Sequence, residues 1–196
     1  MDYAIALTGG ISTGKSTASN ILKLYGFKVI DADEISHKIL DEESEKIIEI
    51  FGDEYVKNGK VDRKKLGGVI FNDKDKKKKL ESLLHPLIRK EIEKRAAKSE
   101  EQGVPYFIDI PLFYETNAYN IKNVLVVYAT KELQLERLVK RDGFSYEDAN
   151  SRIDSQISIE EKKKLATYVV DNTKDLGHLT NELENFRRKI SADFKI

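Results

Sequence analysis

Cysteine is absent from the chain, which excludes disulfides and thiolate metal sites and fits a reducing cytoplasm. Net charge is absent as well, because 34 basic and 34 acidic residues cancel. No basic tail offers a footprint for nucleic acid, so nucleic acid is not an expected partner. The Lys74–Lys79 cluster reads as a solvated helix face. No apolar run approaches the roughly 18 residues that suggest a membrane span. The N-terminus lacks the charged-then-apolar order of a signal peptide, since its short apolar strand runs straight into a glycine-rich loop. We therefore expect a soluble, cytoplasmic protein with no membrane partner. Repeats and low-complexity linkers are also missing. A chain of 196 residues is long enough to bury a core, and its length points to one domain with inserted subdomains.

What is present begins at residue 9, with the stretch GGISTGKST. Gly9, Gly14, Lys15 and Ser16 meet the pattern G-x-x-x-x-G-K-[ST], after the apolar run Tyr3–Thr8 and before the helix-compatible stretch Ser16–Tyr25. Strand, loop and helix in that order are the context in which the pattern binds phosphate. Glycines let the chain turn through positive φ and come close to a ligand. Successive N–H groups, Gly10 through Gly14 among them, then face phosphate oxygens, helped by the positive end of the following helix. Ser12 and Thr13 lie inside this loop. Lys15 is placed to reach the β and γ phosphates, Ser16 to ligate Mg²⁺, and Thr17 to donate to an α-phosphate oxygen.

The rest of the chain alternates strands with helices. A second strand is expected within 26–33, and helical spacing of Ile35, Ile39, Leu40, Ile47, Ile48 and Phe51 predicts a helix over 34–51, stopped by Gly52. From Asp62 to Glu101 the pattern is helical and highly charged, with breaks expected near Asn72 and at His85-Pro86. Its inward candidates are Leu66, Ile70, Phe71, Leu80, Leu83, Leu84, Leu87, Ile88 and Ile92. Val104–Pro111 and Val124–Ala129 are apolar without alternation, as strands covered on both faces are. A helix over 131–141 follows, then two helices with capping boxes at Ser145/Asp148 and Ser158/Glu161, a last strand at Tyr168–Asp171 and an amphipathic C-terminal helix. This order implies an α/β fold with a parallel sheet, and ligands at the carboxyl ends of its strands.

Several charged residues fall at that edge. Asp33, just past the second strand, suits a group that orients and deprotonates an attacking hydroxyl, or equally an N-cap of the next helix. Asp109 suits a holder of metal-bound water, or equally a buried acid paired with a neighbour. Arg137 and Arg141 share a helix face, with Arg152 on the next helix. An arginine closing over a transferring phosphoryl group contributes about 10³–10⁵ in rate, whereas a surface salt bridge such as Glu136 with Lys140 is the plain alternative. His85, beside a proline, reads on its own as structural.

Taken together, these residues resemble the dephospho-coenzyme A kinase family of P-loop kinases. The resemblance spans nearly the whole chain, through LTGGISTGKST (7–17), VIDADEISHKIL (29–40), LHPLI (84–88), DIPLFYE (109–115), ERLVKRD (136–142), RIDSQISIEEKKKLA (152–166) and YVVDN (168–172). It implies a P-loop NTPase core (1–59, 105–133 and 165–196), a parallel sheet sandwiched by helices. It also implies a helical coenzyme-binding subdomain over 60–104 and a helical lid over 134–164. The implied reaction is ATP-dependent phosphorylation of the ribose 3′-hydroxyl of dephospho-coenzyme A, with Mg²⁺. By resemblance Asp33 is the base, Lys15 the phosphate lysine and Arg141 the lid arginine, Arg137 joins the ATP site, and His85, Leu112 and Phe113 border the acceptor pocket.

The family usually has glycine where Ser12 stands, so a positive φ there would work against phosphate binding. Thr167 replaces the acid of the family's "AD", which removes a salt bridge from that position. Two rivals stand beside this reading. One is another small-substrate P-loop kinase, acting on a nucleoside monophosphate or shikimate. The other is a nucleotide switch, although Asn172-Thr-Lys-Asp175 carries the letters of the guanine-reading N-K-x-D in the wrong order.

Overall fold

The computed structural model describes residues 1–195, and all their side chains except those at positions 71 and 72. The chain forms two compact units, Met1–Ile30 with Ala96–Ile196, and Asp31–Arg95.

The first unit is built on a five-stranded sheet. Its strands are β1 (Ala4–Gly9), β2 (Val29–Asp31), β5 (Tyr106–Asp109), β6 (Asn123–Tyr128) and β7 (Tyr168–Asp171), in the order β2-β5-β1-β6-β7. β1 pairs in parallel with β5 and β6, and β6 with β7. All of β1 and β5 is buried, whereas β7 at the edge alternates buried and exposed. Helices α1 (Lys15–Leu24) and α10 (Leu176–Phe194) send Leu22, Leu179, Leu183, Phe186 and Ile190 into the core around Phe107 and Leu125. Each such side chain contributes about 1.5–3 kcal/mol on burial. Phe107 and Tyr168 both pack against the Phe186 ring. Thr167, in place of the expected acid, accepts from Val124 N–H at 3.1 Å and donates to the Lys122 carbonyl at 3.3 Å, so hydrogen bonds stand where the salt bridge was expected to be missing.

The register decides where a ligand can sit. Leu7 lies opposite Asp109, Gly9 opposite Val127 and Tyr128 opposite Asp171. One carboxyl edge therefore carries the glycine-rich loop, Asp109 and the segment after Asp171. Beyond it stand α6 (Phe113–Thr116), α7 (Lys131–Asp142), α8 (Tyr146–Asp154) and α9 (Ile159–Leu165). The two predicted capping boxes form: Ser145 accepts from Asp148 N–H at 3.0 Å and Ser158 from Glu161 N–H at 3.2 Å. α7 and α8 close over a small core of Leu135, Leu138, Ala149 and Ile153.

The second unit differs from expectation in three places. The stretch 34–51 is two helices, α2 (Ala32–Glu42) and α3 (Ser44–Phe51), joined at Glu43 with φ −91° and ψ 18°. Apolar spacing runs on across this joint, so periodicity alone could not show it. Between α3 and α4 (Arg63–Asn72) lies a hairpin, β3 (Val56–Lys57) and β4 (Lys60–Val61), turned by Asn58 and Gly59 at φ 52° and 71°. Two positive φ values are what a tight primed turn needs. The third difference is α5 (Lys74–Glu100), which runs without a break through His85 and Pro86. Ser82, His85 and Pro86 all face solvent, where water satisfies the carbonyl that proline leaves without a donor. Leu80, Leu84 and Ile92 hold the opposite face. The break expected near Asn72 does occur, and Asp73 accepts from the N–H groups of Asp75 and Lys76 as α5 begins. Leu66 is buried, Ile70, Leu83, Leu87 and Ile88 are half-buried, and the Phe71 side chain lies outside the described ones. Lys74–Lys79 is exposed, as expected of a solvated face.

Candidate active site

The loop after β1 leaves its ligand face open and its far side tied. Gly14, at φ 92°, precedes α1, and no side chain caps that helix. The first-turn amides are therefore free for an anion. A Cβ on Gly14 would meet the Asn172 amide and one on Gly10 the Gln134 carboxamide, so a side chain at either would have to displace these, and the φ of 92° at Gly14 favours glycine there besides. Thr13 is fully buried, and its hydroxyl donates to the Gly10 carbonyl at 2.9 Å. Its N–H also donates to the Gly10 carbonyl, at 3.3 Å, so Thr13 shapes the loop through both side chain and backbone. Ser16 and Thr17 are exposed in the first turn of α1. Lys15 forms an ion pair with Asp109, whose side chain is 5% exposed.

Ser12 takes φ 58°, the left-handed conformation that serine adopts at a cost, and its hydroxyl is buried without a hydrogen-bond partner. The condition under which this position works against phosphate binding is therefore met.

Asn172, directly after β7, is 8% exposed and donates to the Thr13 carbonyl at 2.8 Å. Its own carbonyl accepts from Arg137 Nη2 at 2.9 Å, while Arg137 Nη1 is buried without a partner. That nitrogen is a charged donor waiting for an acceptor. Asp175 caps α10, accepting from His178 N–H at 2.9 Å. Two of the three letters of the scrambled guanine motif, Asn172 and Asp175, thus have structural work.

Gln156 accepts from Ile11 N–H at 3.0 Å, and Gln134 donates to the Ala129 carbonyl at 3.1 Å. Arg152 stacks on Phe144, 4.2 Å from the ring centroid. Arg141 is exposed and grips Asp142 through Nε and Nη2, both at 2.8 Å. Hydrogen bonding to Asp142 raises its pKa further and holds the Asp142 carboxyl below its ordinary range. Leu112 is 40% exposed, and Phe113 is buried edge-on against Tyr114.

In the second unit, Asp33 stands exposed in the first turn of α2 and is not its cap. Asp31 caps the helix instead, accepting from the N–H groups of Asp33 at 2.9 Å and Glu34 at 3.0 Å. The carboxylate of Asp33 is left for other chemistry. His85 is exposed on α5. Among the described residues, no cluster of three or more acids or histidines is arranged to hold a metal, and no helix is long and apolar enough to cross a membrane.

Asn172, Gln134, Gln156, Glu115 and Lys162 had no role assigned from the sequence. Gln156 and Asn172 were visible as members of quoted motifs. Lys162 was hidden in a run of three lysines, where only its phase with Ile159 marks it as inward.

These features match known proteins along nearly the full chain. The family model described as Dephospho-CoA kinase matches residues 3–177. A dephospho-CoA kinase of Sulfurimonas denitrificans is 58% identical over 192 residues, covering 98% of this chain and 96% of its own. The structure of the dephospho-CoA kinase from Campylobacter jejuni is 40% identical with a TM-score of 0.78, over 97% of this chain and 98% of its own. A crystal structure from Thermus thermophilus gives a TM-score of 0.81 at 31% identity, over 95% and 97% of the two chains.

Proposed function

The chain belongs to the dephospho-CoA kinase family, and from that premise we propose that it transfers the γ-phosphoryl of ATP to the ribose 3′-hydroxyl of dephospho-coenzyme A. The products are coenzyme A and ADP, and the step is the last of coenzyme A biosynthesis. The observation that carries the reading is the open loop itself: uncapped helix amides, Lys15 beside them and a buried, unpartnered Arg137 nitrogen.

In this reading the amides of residues 14–17, at the start of α1, and the Lys15 ammonium hold the phosphates, with Gly10, Ser12 and Thr13 shaping the loop around them, and Lys15 leaves Asp109 to do so. Arg137 donates Nη1 to the nucleotide. Arg141 exchanges Asp142 for the transferring group, which stabilises charge that grows in the transition state. Asp33 accepts or orients the proton of the acceptor hydroxyl. His85 and Leu112 border the acceptor, with Phe113 supporting from the interior. Residues 60–104 serve the acceptor, and 134–164 act as the lid that excludes water.

The donor set suits Mg²⁺, which keeps several waters and takes one or two protein oxygens plus substrate phosphates. The Ser16 hydroxyl and the Asp109 carboxylate supply such oxygens. When bound, the ion neutralises charge on the β and γ oxygens. A cytoplasmic location is consistent with the missing cysteines.

The test is ADP release by the purified protein with ATP and Mg²⁺, with and without dephospho-coenzyme A, and with adenosine monophosphate and shikimate as competing acceptors. Release that depends on dephospho-coenzyme A, with coenzyme A as product, supports the reading. Release driven by another acceptor overturns it. Asp33→Asn in a folded protein is expected to lower turnover by about 10²–10⁴, and full turnover would remove Asp33 from the role of base.

A further inference from the structure

Lys162 on α9 is fully buried, an unusual place for a lysine unless its charge is matched. Its ammonium donates to the Gly9 carbonyl at 2.9 Å and pairs with Glu115 Oε1 at 2.7 Å. The same Glu115 oxygen accepts from Ile157 N–H at 3.1 Å, and Glu115 Oε2 is buried without a hydrogen bond. Gly9 is the residue at which β1 becomes the phosphate loop. Two residues on, Ile11 N–H is held by Gln156, from the same α8–α9 segment.

The arrangement has a direction. A pair needed for stability alone could be replaced by apolar side chains of similar volume, often without loss. Here the lysine also fixes a backbone carbonyl at the loop's entrance, while Asn172 fixes the Thr13 carbonyl near its exit. Loop amides stabilise phosphate best when their orientation is set before the ligand arrives. The motif DIPLFYE thus carries two acids with parallel duties: Asp109 takes the loop's lysine and Glu115 takes the lysine of α9.

We infer that Lys162 is a positioning residue for ATP: through its bond to the Gly9 carbonyl it sets the phosphate loop, and through Glu115 it ties the α8–α9 segment to that loop. The inference rests on the phosphate loop being the ATP site, as proposed above.

Steady-state kinetics on three variants test it, each first checked for folding by circular dichroism. In Lys162→Met/Glu115→Gln, which removes both charges together, the KM for ATP rises at least tenfold while the KM for dephospho-coenzyme A moves less than twofold. Glu115→Gln alone keeps the bond to Gly9 and raises the KM for ATP by less than the double variant does. Equal rises for both substrates, an ATP KM within twofold of wild type in the double variant, or a single variant as impaired as the double one would each overturn the inference. So would failure of the double variant to fold, which would make the pair a folding element. Lys15→Met is the control: unchanged ATP binding there would sink the phosphate-loop reading itself, a result distinct from any of these.

Discussion

The two compact units use their charged side chains in opposite ways. In the unit formed by Met1–Ile30 and Ala96–Ile196, the lysines and amides around the glycine-rich loop are half-buried or buried and already bonded: Lys15 to Asp109, Lys162 to Glu115 and Gly9, Asn172 to Thr13. In Asp31–Arg95 ion pairs such as Lys38–Glu42 at 3.4 Å and Lys77–Glu81 at 3.9 Å lie on exposed helix faces, Arg95–Glu91 at 2.8 Å is half-buried, and Asp33 and His85 are exposed. Exposed pairs of this kind contribute about 0–1 kcal/mol each. The ligands proposed for the two units would account for the contrast. Phosphate binding rewards dipoles fixed in advance, since a fixed dipole does not have to reorganise when charge develops. An acceptor that must enter and leave is served by side chains that remain accessible.

If that contrast is real, the largest effect belongs to a cation in the first unit. Arg137→Met removes both the bond to the Asn172 carbonyl and the unpartnered Nη1. We expect kcat/KM for ATP to fall by about 10³, the lower end of the range of about 10³–10⁵ assigned to arginines at a transferring phosphoryl group, with the KM for dephospho-coenzyme A little changed. A loss below tenfold would put Arg137 back among ordinary structural arginines.

The second unit should answer a substitution in the opposite sense. Pro86 is exposed inside α5, where proline costs a helix up to about 3 kcal/mol and alanine restores a donor to the preceding turn. Pro86→Ala is therefore expected to stabilise by roughly 1–3 kcal/mol, read as a higher midpoint in urea. No gain would mean that the helix around Pro86 is already relaxed by its apolar face.

Where sequence reasoning succeeded and failed follows the same division. The sheet was legible because β1, β5 and β6 are apolar without alternation, a pattern that leaves one arrangement open. The caps at Ser145 and Ser158 were legible because a capping box is local chemistry. The joint at Glu43 was not, because apolar spacing continues on both sides of it. The hairpin could have been found, since Asn58-Gly59 is a strong turn signal that was passed over. The break expected at His85-Pro86 does not form, because the packing of Leu80, Leu84 and Ile92 outweighs proline's local penalty. In the candidate site, motif spacing marked Lys15, strand position marked Asp109 and the family resemblance marked Arg137. Lys162 was not marked, since burial of one lysine among three is a tertiary fact.

A smaller effect probes strain within the first unit. Ser12 has a positive φ and a buried hydroxyl without a partner, and glycine would remove both costs. Ser12→Gly is expected to stabilise by about 1 kcal/mol, raising Tm by roughly 2–4 °C in a chain of this size, and to tighten ATP binding. A variant with higher Tm and weaker ATP binding would show instead that the hydroxyl serves the nucleotide.

The smallest expected effect lies where Glu100 meets the N-terminus of the first unit, and it depends on pH. Glu100 accepts from Asp2 N–H at 2.9 Å, Tyr3 N–H at 3.2 Å and the Tyr106 hydroxyl at 2.9 Å, pinning the N-terminus beside β5. Burial pushes its carboxyl pKa up, but the three hydrogen bonds together outweigh burial and hold it below its ordinary 4.5. A carboxylate whose pKa is depressed by folding lends stability above its unfolded pKa and loses it as pH falls through the folded one. Glu100→Gln should therefore cost about 0.5–1 kcal/mol near pH 7, and the difference from wild type should shrink as pH drops below about 4.5. Urea midpoints at pH 7 and pH 4 measure it. A gap that stays constant between the two would assign the effect to packing of the side chain and not to its charge.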